Sequence, residues 1–160
     1  MSKKAICPGS FDPVTVGHLD IVSRAAQLFD EVVVVVMNNS AKTPLFSADE
    51  RVDMLKKVTA DMPNVSVDRY DGLLADYAKE KDANVVVKGL RAVSDFEYEF
   101  QMALTNKKLN HELDTVFLTT KAENMYLSSS LVRQVGAMGG DISEFVPAEI
   151  KEQVLARLCK

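Results

Sequence analysis

Apolar positions along this 160-residue chain follow two rhythms, and the alternation between them predicts the fold. Short unbroken apolar runs occupy residues 5–7, 32–37 and 85–87. Continuity of this kind marks strands buried on both faces. Residues 65–70, where apolar and polar side chains alternate, and residues 115–118 are weaker strand candidates. Between the runs the period lengthens. Leu19, Val22, Ala26 and Phe29 fall on one stripe at the i, i+3, i+7, i+10 spacing of an amphipathic helix that packs on a sheet. Ser47 with Glu50, and Ser94 with Glu97, read as capping boxes, in which the two side chains satisfy the free amides of a first helical turn. Residues 73–81 form another helical segment, followed later by 128–135 and, after Pro147, by 148–158.

Strands alternating with helices through five rounds imply parallel pairing and right-handed crossovers. The expected architecture is a doubly wound, five-stranded parallel α/β sheet with helices on both faces. In such sheets ligands bind at the carboxyl ends of the strands, where the winding direction reverses. The loops after Cys7, Met37, Tyr70, Val87 and Leu118 are therefore where function is expected. No repeat, linker or low-complexity stretch interrupts the pattern, so residues 1–160 read as a single domain with one core.

Composition narrows the classes. A 47% hydrophobic and 26% charged chain has the balance of a folded globule rather than a disordered one. The longest aliphatic run is far below the roughly 20 residues of a membrane-spanning helix, and no basic-then-apolar leader opens the sequence, which predicts a cytoplasmic protein without a membrane partner. Cys7 and Cys159 lie at opposite ends without a C-x-x-C partner, so both read as reduced and structural. A net charge of −4 argues against binding along a nucleic acid backbone, which needs clustered cations, but leaves room for a small anion in one basic cleft.

Candidate chemistry concentrates after the first strand. Neither G-x-G-x-x-G nor G-x-x-x-x-G-K-[ST] occurs. Instead Pro8-Gly9-Ser10-Phe11-Asp12-Pro13-Val14-Thr15-Val16-Gly17-His18 runs directly into the first helix. Gly9 would let the backbone approach a ligand, Ser10 offers a hydroxyl, and Gly17 would keep the helix entrance uncrowded. His18 falls in the first turn, where free amides and the helix dipole favour an anion. A lone histidine there would read as a cap or surface ring. Its coincidence with glycine and a hydroxyl at the ligand end of the first strand favours function.

This segment resembles the signature of the nucleotidyltransferase superfamily, written [HT]-x-G-H, and Thr15 at its first position resembles the bacterial phosphopantetheine adenylyltransferases within it. Three more segments match that family in order and spacing: Lys42; Gly89-Leu90-Arg91-Ala92-Val93-Ser94-Asp95-Phe96-Glu97-Tyr98-Glu99; and Leu127-Ser128-Ser129-Ser130-Leu131-Val132. The resemblance covers essentially the whole chain. It implies transfer of an adenylyl group from ATP to 4′-phosphopantetheine, giving dephospho-coenzyme A and pyrophosphate, by direct attack on the α-phosphorus. Mg²⁺ would ride on the ATP phosphates, because no residue cluster has the ligand count of a protein-held metal cage. The resemblance also implies a homohexamer and feedback by coenzyme A.

By the same resemblance His18 donates to the α-phosphate, and Ser10, Lys42, Leu74 and Lys88 meet the acceptor. Ser10, Phe11, Gly89, Leu90, Arg91, Glu99 and the stretch Asn124, Met125, Tyr126, Leu127, Ser128, Ser129 and Ser130 bind ATP. Ser10, Lys42 and Arg91 join His18 as catalytic residues. An alternative for Asp95 is a purely structural pair with Arg91 at i, i+4, and one serine of the three is needed simply as an N-cap. His111 reads as structural. Lys88 stands where the family more often has arginine, Ser10 replaces threonine and Cys7 replaces tyrosine. Competing functions are a nicotinamide-mononucleotide adenylyltransferase, a glycerol-phosphate cytidylyltransferase, or a non-catalytic nucleotide-binding module.

Overall fold

In the computed structural model, which describes residues 2–38 and 41–159, five parallel strands form one sheet in the order β3-β2-β1-β4-β5. The strands are β1 (Lys4–Gly9), β2 (Glu31–Met37), β3 (Val65–Tyr70), β4 (Val85–Leu90) and β5 (Asp114–Thr119). All five lie where the hydrophobic pattern put them. The two weak candidates, β3 and β5, are the sheet edges. An edge strand is less enclosed than a central one, so its sequence need not be continuously apolar, and both show mixed burial.

Strand side chains alternate between two layers. Ala5, Cys7, Val32, Val34, Val36 and Val87 face one core, shared with α1 (Val16–Leu28), α2 (Ala48–Val58), α5 (Ser129–Ala137) and α6 (Lys151–Leu158). Ile6, Val33, Val35 and Val86 face the other, where Tyr77 and Ala78 of α3 (Leu74–Glu80) pack. This period-two division of the valine run in β2 is why every residue from Val32 to Val36 is buried. The last helix, α4 (Val93–Leu109), joins α3 on the second face and leaves Phe96, Tyr98, Phe100 and Leu104 exposed.

Several local expectations are corrected. The buried side of α1 consists of Ile21, Val22 and Ala25, with Leu19, Ala26 and Phe29 only partly covered at its flank. The α2 capping box is present, Ser47 accepting from the Glu50 amide and Glu50 from the Ser47 amide. Ser94 does not hold the N-cap position anticipated for it: α4 starts at Val93 with Ala92 as N-cap, so Ser94 lies inside the first turn. Residues 148–150 form a separate 3₁₀ turn before α6. His111 is exposed in the turn before β5. Cys7 is buried and Cys159 exposed, both free.

β1 pairs with β2 over six residues, from Lys4 with Glu31 to Gly9 with Val36, but with β4 at Ala5–Val85 and Ile6–Val86 alone. Beyond that point the two strands part toward their carboxyl ends. The winding reverses at this same boundary, since β2 and β3 lie on one side of β1 and β4 and β5 on the other. A crevice opens there.

Removing the α2 cap should be felt in stability. Ser47→Ala is expected to lower the unfolding free energy by about 1 kcal/mol in urea denaturation, and a midpoint equal to the unsubstituted protein's would contradict the capping role.

Candidate active site

The crevice between β1 and β4 has a volume of about 430 Å³ and is lined by Cys7 to Phe11, Thr15, Gly17, His18, Lys42, Val87 to Gly89, Arg91, Asp95, Glu99, Asn124 and Leu127 to Ser129, among others. Its first wall is the β1–α1 loop. Thr15, only 2% exposed, caps α1 by accepting from the His18 amide at 3.2 Å, and His18 Nδ1 accepts from the Thr15 amide at 3.0 Å. This is a capping box with histidine where glutamate usually stands. An Nδ1 that accepts cannot carry the proton, so the neutral ring holds it on Nε2, at the opposite corner of the imidazole. Burial brings the His18 pKa from 6.5 down to about 4, and the charges of Lys88 and Arg91 act in the same direction. The ring is neutral at pH 7 and is a hydrogen-bond donor.

Phe11 buttresses that ring edge to face at 5.1 Å and is held at a positive φ of 50°. A Cβ on Gly9 would come within 3.0 Å of the Phe11 ring, so the open space at Gly9 serves this packing. Gly17 is not sterically required: a Cβ there would meet ordinary contacts of 3.5 Å or more. Gly89 is tighter, since its Cβ would lie 2.9 Å from Ile21, where α1 passes over β4.

The opposite wall is the end of β4 with the start of α4. Lys88 and Arg91 point their charges into the crevice beside two carboxylates one turn apart on α4. Lys88 Nζ lies 3.4 Å from Glu99, and Arg91 Nε donates to Asp95 at 3.1 Å. Arg91 also donates to the Leu127 carbonyl at 2.7 Å, which ties β4 to the approach of α5. Leu90 ends β4, where its carbonyl accepts from the Thr120 amide. Cys7 on the floor is no nucleophile, since burial pushes its thiol up to about 12, with Lys88 opposing only in part.

The third wall is more divided than the motif suggested. Asn124, Leu127, Ser128 and Ser129 line the crevice. Met125 and Tyr126 are 50% and 59% exposed, and Tyr126 turns to Phe145. The three serine hydroxyls have other partners: Ser128 caps α5, Ser129 donates to the Pro13 carbonyl at 2.7 Å, and Ser130 accepts from Arg133. What this segment offers an anion is the backbone amides at the start of α5. Leu74 is not among the lining residues; it packs with Met37 and Tyr70 on the second core layer. Ser10 and Lys42 line both the crevice and a smaller pocket beside it, of about 180 Å³, that includes Arg51, Ser130 and Arg133.

That second pocket contains residues that sequence reasoning missed. Buried Asp12 accepts from the amides of Leu45 and Phe46 at 2.8 and 2.9 Å, fastening the β1–α1 loop to the segment that follows Lys42. Arg51, 2% exposed, donates to the carbonyls of Phe46 and Ser10, and Arg133 donates to the carbonyl of Asp12. Arg133 follows Ser130 by three positions, one helical turn, which was the available signal. Asp12 and the contact of Arg51 with Ser10 gave none, because those partners lie 33 to 41 residues away.

The chain is similar to known proteins over most of its length. Residues 6–135 match the cytidylyltransferase-like family model. The chain is 57% identical over 156 residues to the phosphopantetheine adenylyltransferase of Caldanaerobacter subterraneus subsp. tengcongensis, covering 98% of both chains. It is 55% identical to that of Lachnoclostridium phytofermentans, covering 92% of this chain and 91% of the relative, and 54% identical to that of Dictyoglomus turgidum, covering 94% of each. The chain belongs to the phosphopantetheine adenylyltransferase family. Among solved structures, a protein described as a nicotinate-nucleotide adenylyltransferase from Vibrio parahaemolyticus superposes with a TM-score of 0.67 at 19% identity, over 98% of this chain and 96% of that one. At that identity the likeness concerns the fold alone.

Titration of the His18 ring by NMR is expected to give a pKa near 4 and an Nδ1-acceptor, Nε2–H tautomer at neutral pH. A ring that titrates close to 6.5 would contradict the environment described here.

Proposed function

We propose that residues 1–160 act as one adenylyltransferase domain that transfers the adenylyl group of ATP to the phosphate of 4′-phosphopantetheine, giving dephospho-coenzyme A and pyrophosphate. The observation that carries this reading is the capped, neutral His18 in one crevice with Ser10, Lys42, Lys88 and Arg91. The three relatives above support the choice of acceptor.

An oxygen of the acceptor phosphate attacks the α-phosphorus, and the bond from that phosphorus to the bridging oxygen breaks, so that pyrophosphate leaves. A phosphate dianion is already nucleophilic, and no general base is needed. Catalysis then rests on positioning and on charge stabilisation. His18 Nε2–H donates to a non-bridging α-phosphate oxygen as negative charge grows on it. The Ser10 hydroxyl and the ammonium groups of Lys42 and Lys88 hold the acceptor phosphate, which offsets the repulsion between the two anions. Arg91 and the amides of Ser129 and Ser130 receive the β- and γ-phosphates, with the Ser128 hydroxyl kept as the cap of α5. Phe11, Gly89, Leu90, Glu99 and the segment of Asn124, Met125, Tyr126 and Leu127 surround the nucleoside. Leu74, with Met37 and Tyr70, forms an apolar shelf at the ends of β2 and β3 suited to the pantetheine arm.

Among the described residues no group of His, Cys, Asp and Glu has the makings of a metal site, and Asp95 and Glu99 are engaged by Arg91 and Lys88. That donor set suits Mg²⁺ carried on the triphosphate, where it supplies charge neutralisation for the leaving group. None of the described helices is long and apolar enough to cross a membrane. We assign the reaction to the cytoplasm, with coenzyme A as a feedback ligand and no nucleic acid partner.

A homohexamer completes the reading. Its support is α4, where Phe96, Phe100 and Leu104 fall one turn apart on one side and are 42%, 47% and 56% exposed, with Phe96 stacked on Phe100 and edge-on to Phe117 of edge strand β5. A contiguous apolar surface of this kind marks an association face.

Pyrophosphate release on mixing ATP, Mg²⁺ and 4′-phosphopantetheine tests the reaction, and none with this acceptor would refute it. His18→Ala should cut kcat by ~10² or more while ATP affinity stays within a few-fold; unchanged turnover would remove His18 from the mechanism. Sedimentation velocity is expected to give a particle of six chain masses, reduced to smaller species by Phe100→Glu with Leu104→Glu. A monomeric parent protein would overturn the assembly.

A further inference from the structure

The crevice holds its two β4 cations in different ways. Arg91 is fixed twice, by Asp95 and by the Leu127 carbonyl. The ion pair of Lys88 among the described residues is with Glu99, at 3.4 Å, longer than the 2.7–2.9 Å of a tight charge-assisted hydrogen bond. Both side chains line the crevice and keep some solvent contact, 27% for Lys88 and 19% for Glu99. A loose, partly exposed pair contributes little by itself and exchanges easily for a better partner.

Resting on the function proposed above, we infer that the Lys88–Glu99 pair is an exchange element that makes nucleotide and acceptor phosphate bind cooperatively. In the ligand-free crevice Glu99 cancels much of the Lys88 charge. An acceptor phosphate that arrives first must displace the carboxylate and leave it without a counter-ion, which weakens its binding. A nucleotide that arrives first brings hydroxyl and amino donors that Glu99 accepts. Lys88 is then released with its full charge toward the acceptor. The thermodynamic cycle closes, so the acceptor must tighten the nucleotide by the same factor.

The sign of the effect is diagnostic. Triphosphate and phosphate are both polyanions in one crevice, and Coulomb repulsion alone makes each weaken the other. Binding of one ligand that unmasks charge for the other reverses that sign. Lys88 is placed for this, because it stands between the floor at Cys7 and the α4 wall at Glu99, and its field reaches the His18 ring.

Calorimetry with α,β-methylene-ATP, whose carbon bridge prevents transfer, tests the idea on the intact protein. The affinity for 4′-phosphopantetheine should rise about tenfold when the analogue is saturating, and the affinity for the analogue should rise by an equal factor with saturating 4′-phosphopantetheine. In Glu99→Gln the acceptor should bind tighter alone than it does to the parent protein, with the coupling reduced to about twofold or less. On a Lys88→Met background, Glu99→Gln should cause no further change in acceptor affinity, as a shared pathway requires. Equal acceptor affinity with and without analogue in the parent protein would overturn the exchange, as would full coupling in Glu99→Gln. The parent measurement decides the matter even where a variant folds poorly. Turnover without coupling sinks the exchange alone, whereas absence of turnover sinks the assigned reaction and the exchange with it.

Discussion

β1 and β4 are hydrogen-bonded at Ala5–Val85 and Ile6–Val86 and then diverge, because the chain must leave β1 toward β2 on one side and enter β4 from the other. Among the described residues no strand fills the gap between their carboxyl ends. The candidate site is built around that gap: the β1–α1 loop closes one side, the β4–α4 turn the other, and the start of α5 the third. A parallel sheet with reversed winding provides such a crevice without any residue being committed to making it.

Within the crevice the reciprocal cap between Thr15 and His18 does two jobs with one geometry. It stabilises the first turn of α1, and by occupying Nδ1 it dictates which nitrogen donates. The same histidine is thus both a member of the capping box and the candidate catalytic donor, and the two readings are not rivals. Burial keeps the ring uncharged, so that it is a directional donor rather than a competing cation beside Lys88 and Arg91.

The loops around the gap are fastened to one another by three charged side chains, of which Asp12 and Arg51 are buried. Asp12 gives its carboxylate to two backbone amides across the β2–α2 connection, and Arg51 and Arg133 return donors to the carbonyls of Ser10 and Asp12. Each of these groups would be costly to bury unpaired. Satisfied together, they hold the Ser10 loop against the segment that follows Lys42, which is the rigidity that catalysis by positioning requires.

Taken alone, the amino-acid order determined the five strands, the two-faced winding, the α2 cap and the place of His18 at the head of α1, because each rests on local periodicity or on side chains within one helical turn. The motif segments at residues 89–99 and 127–132 were legible as well, as walls of one site. Only the tertiary structure decided how those walls are wired. It set Lys88 against Glu99, tied Arg91 to Leu127, gave the Ser129 hydroxyl to the Pro13 carbonyl and left Leu74 on the second core layer. It also revealed Asp12, Arg51 and Arg133 as the fastening of the loops. These contacts join residues far apart in the chain, and no spacing rule reads a pairing that exists only once the sheet has brought its carboxyl ends together.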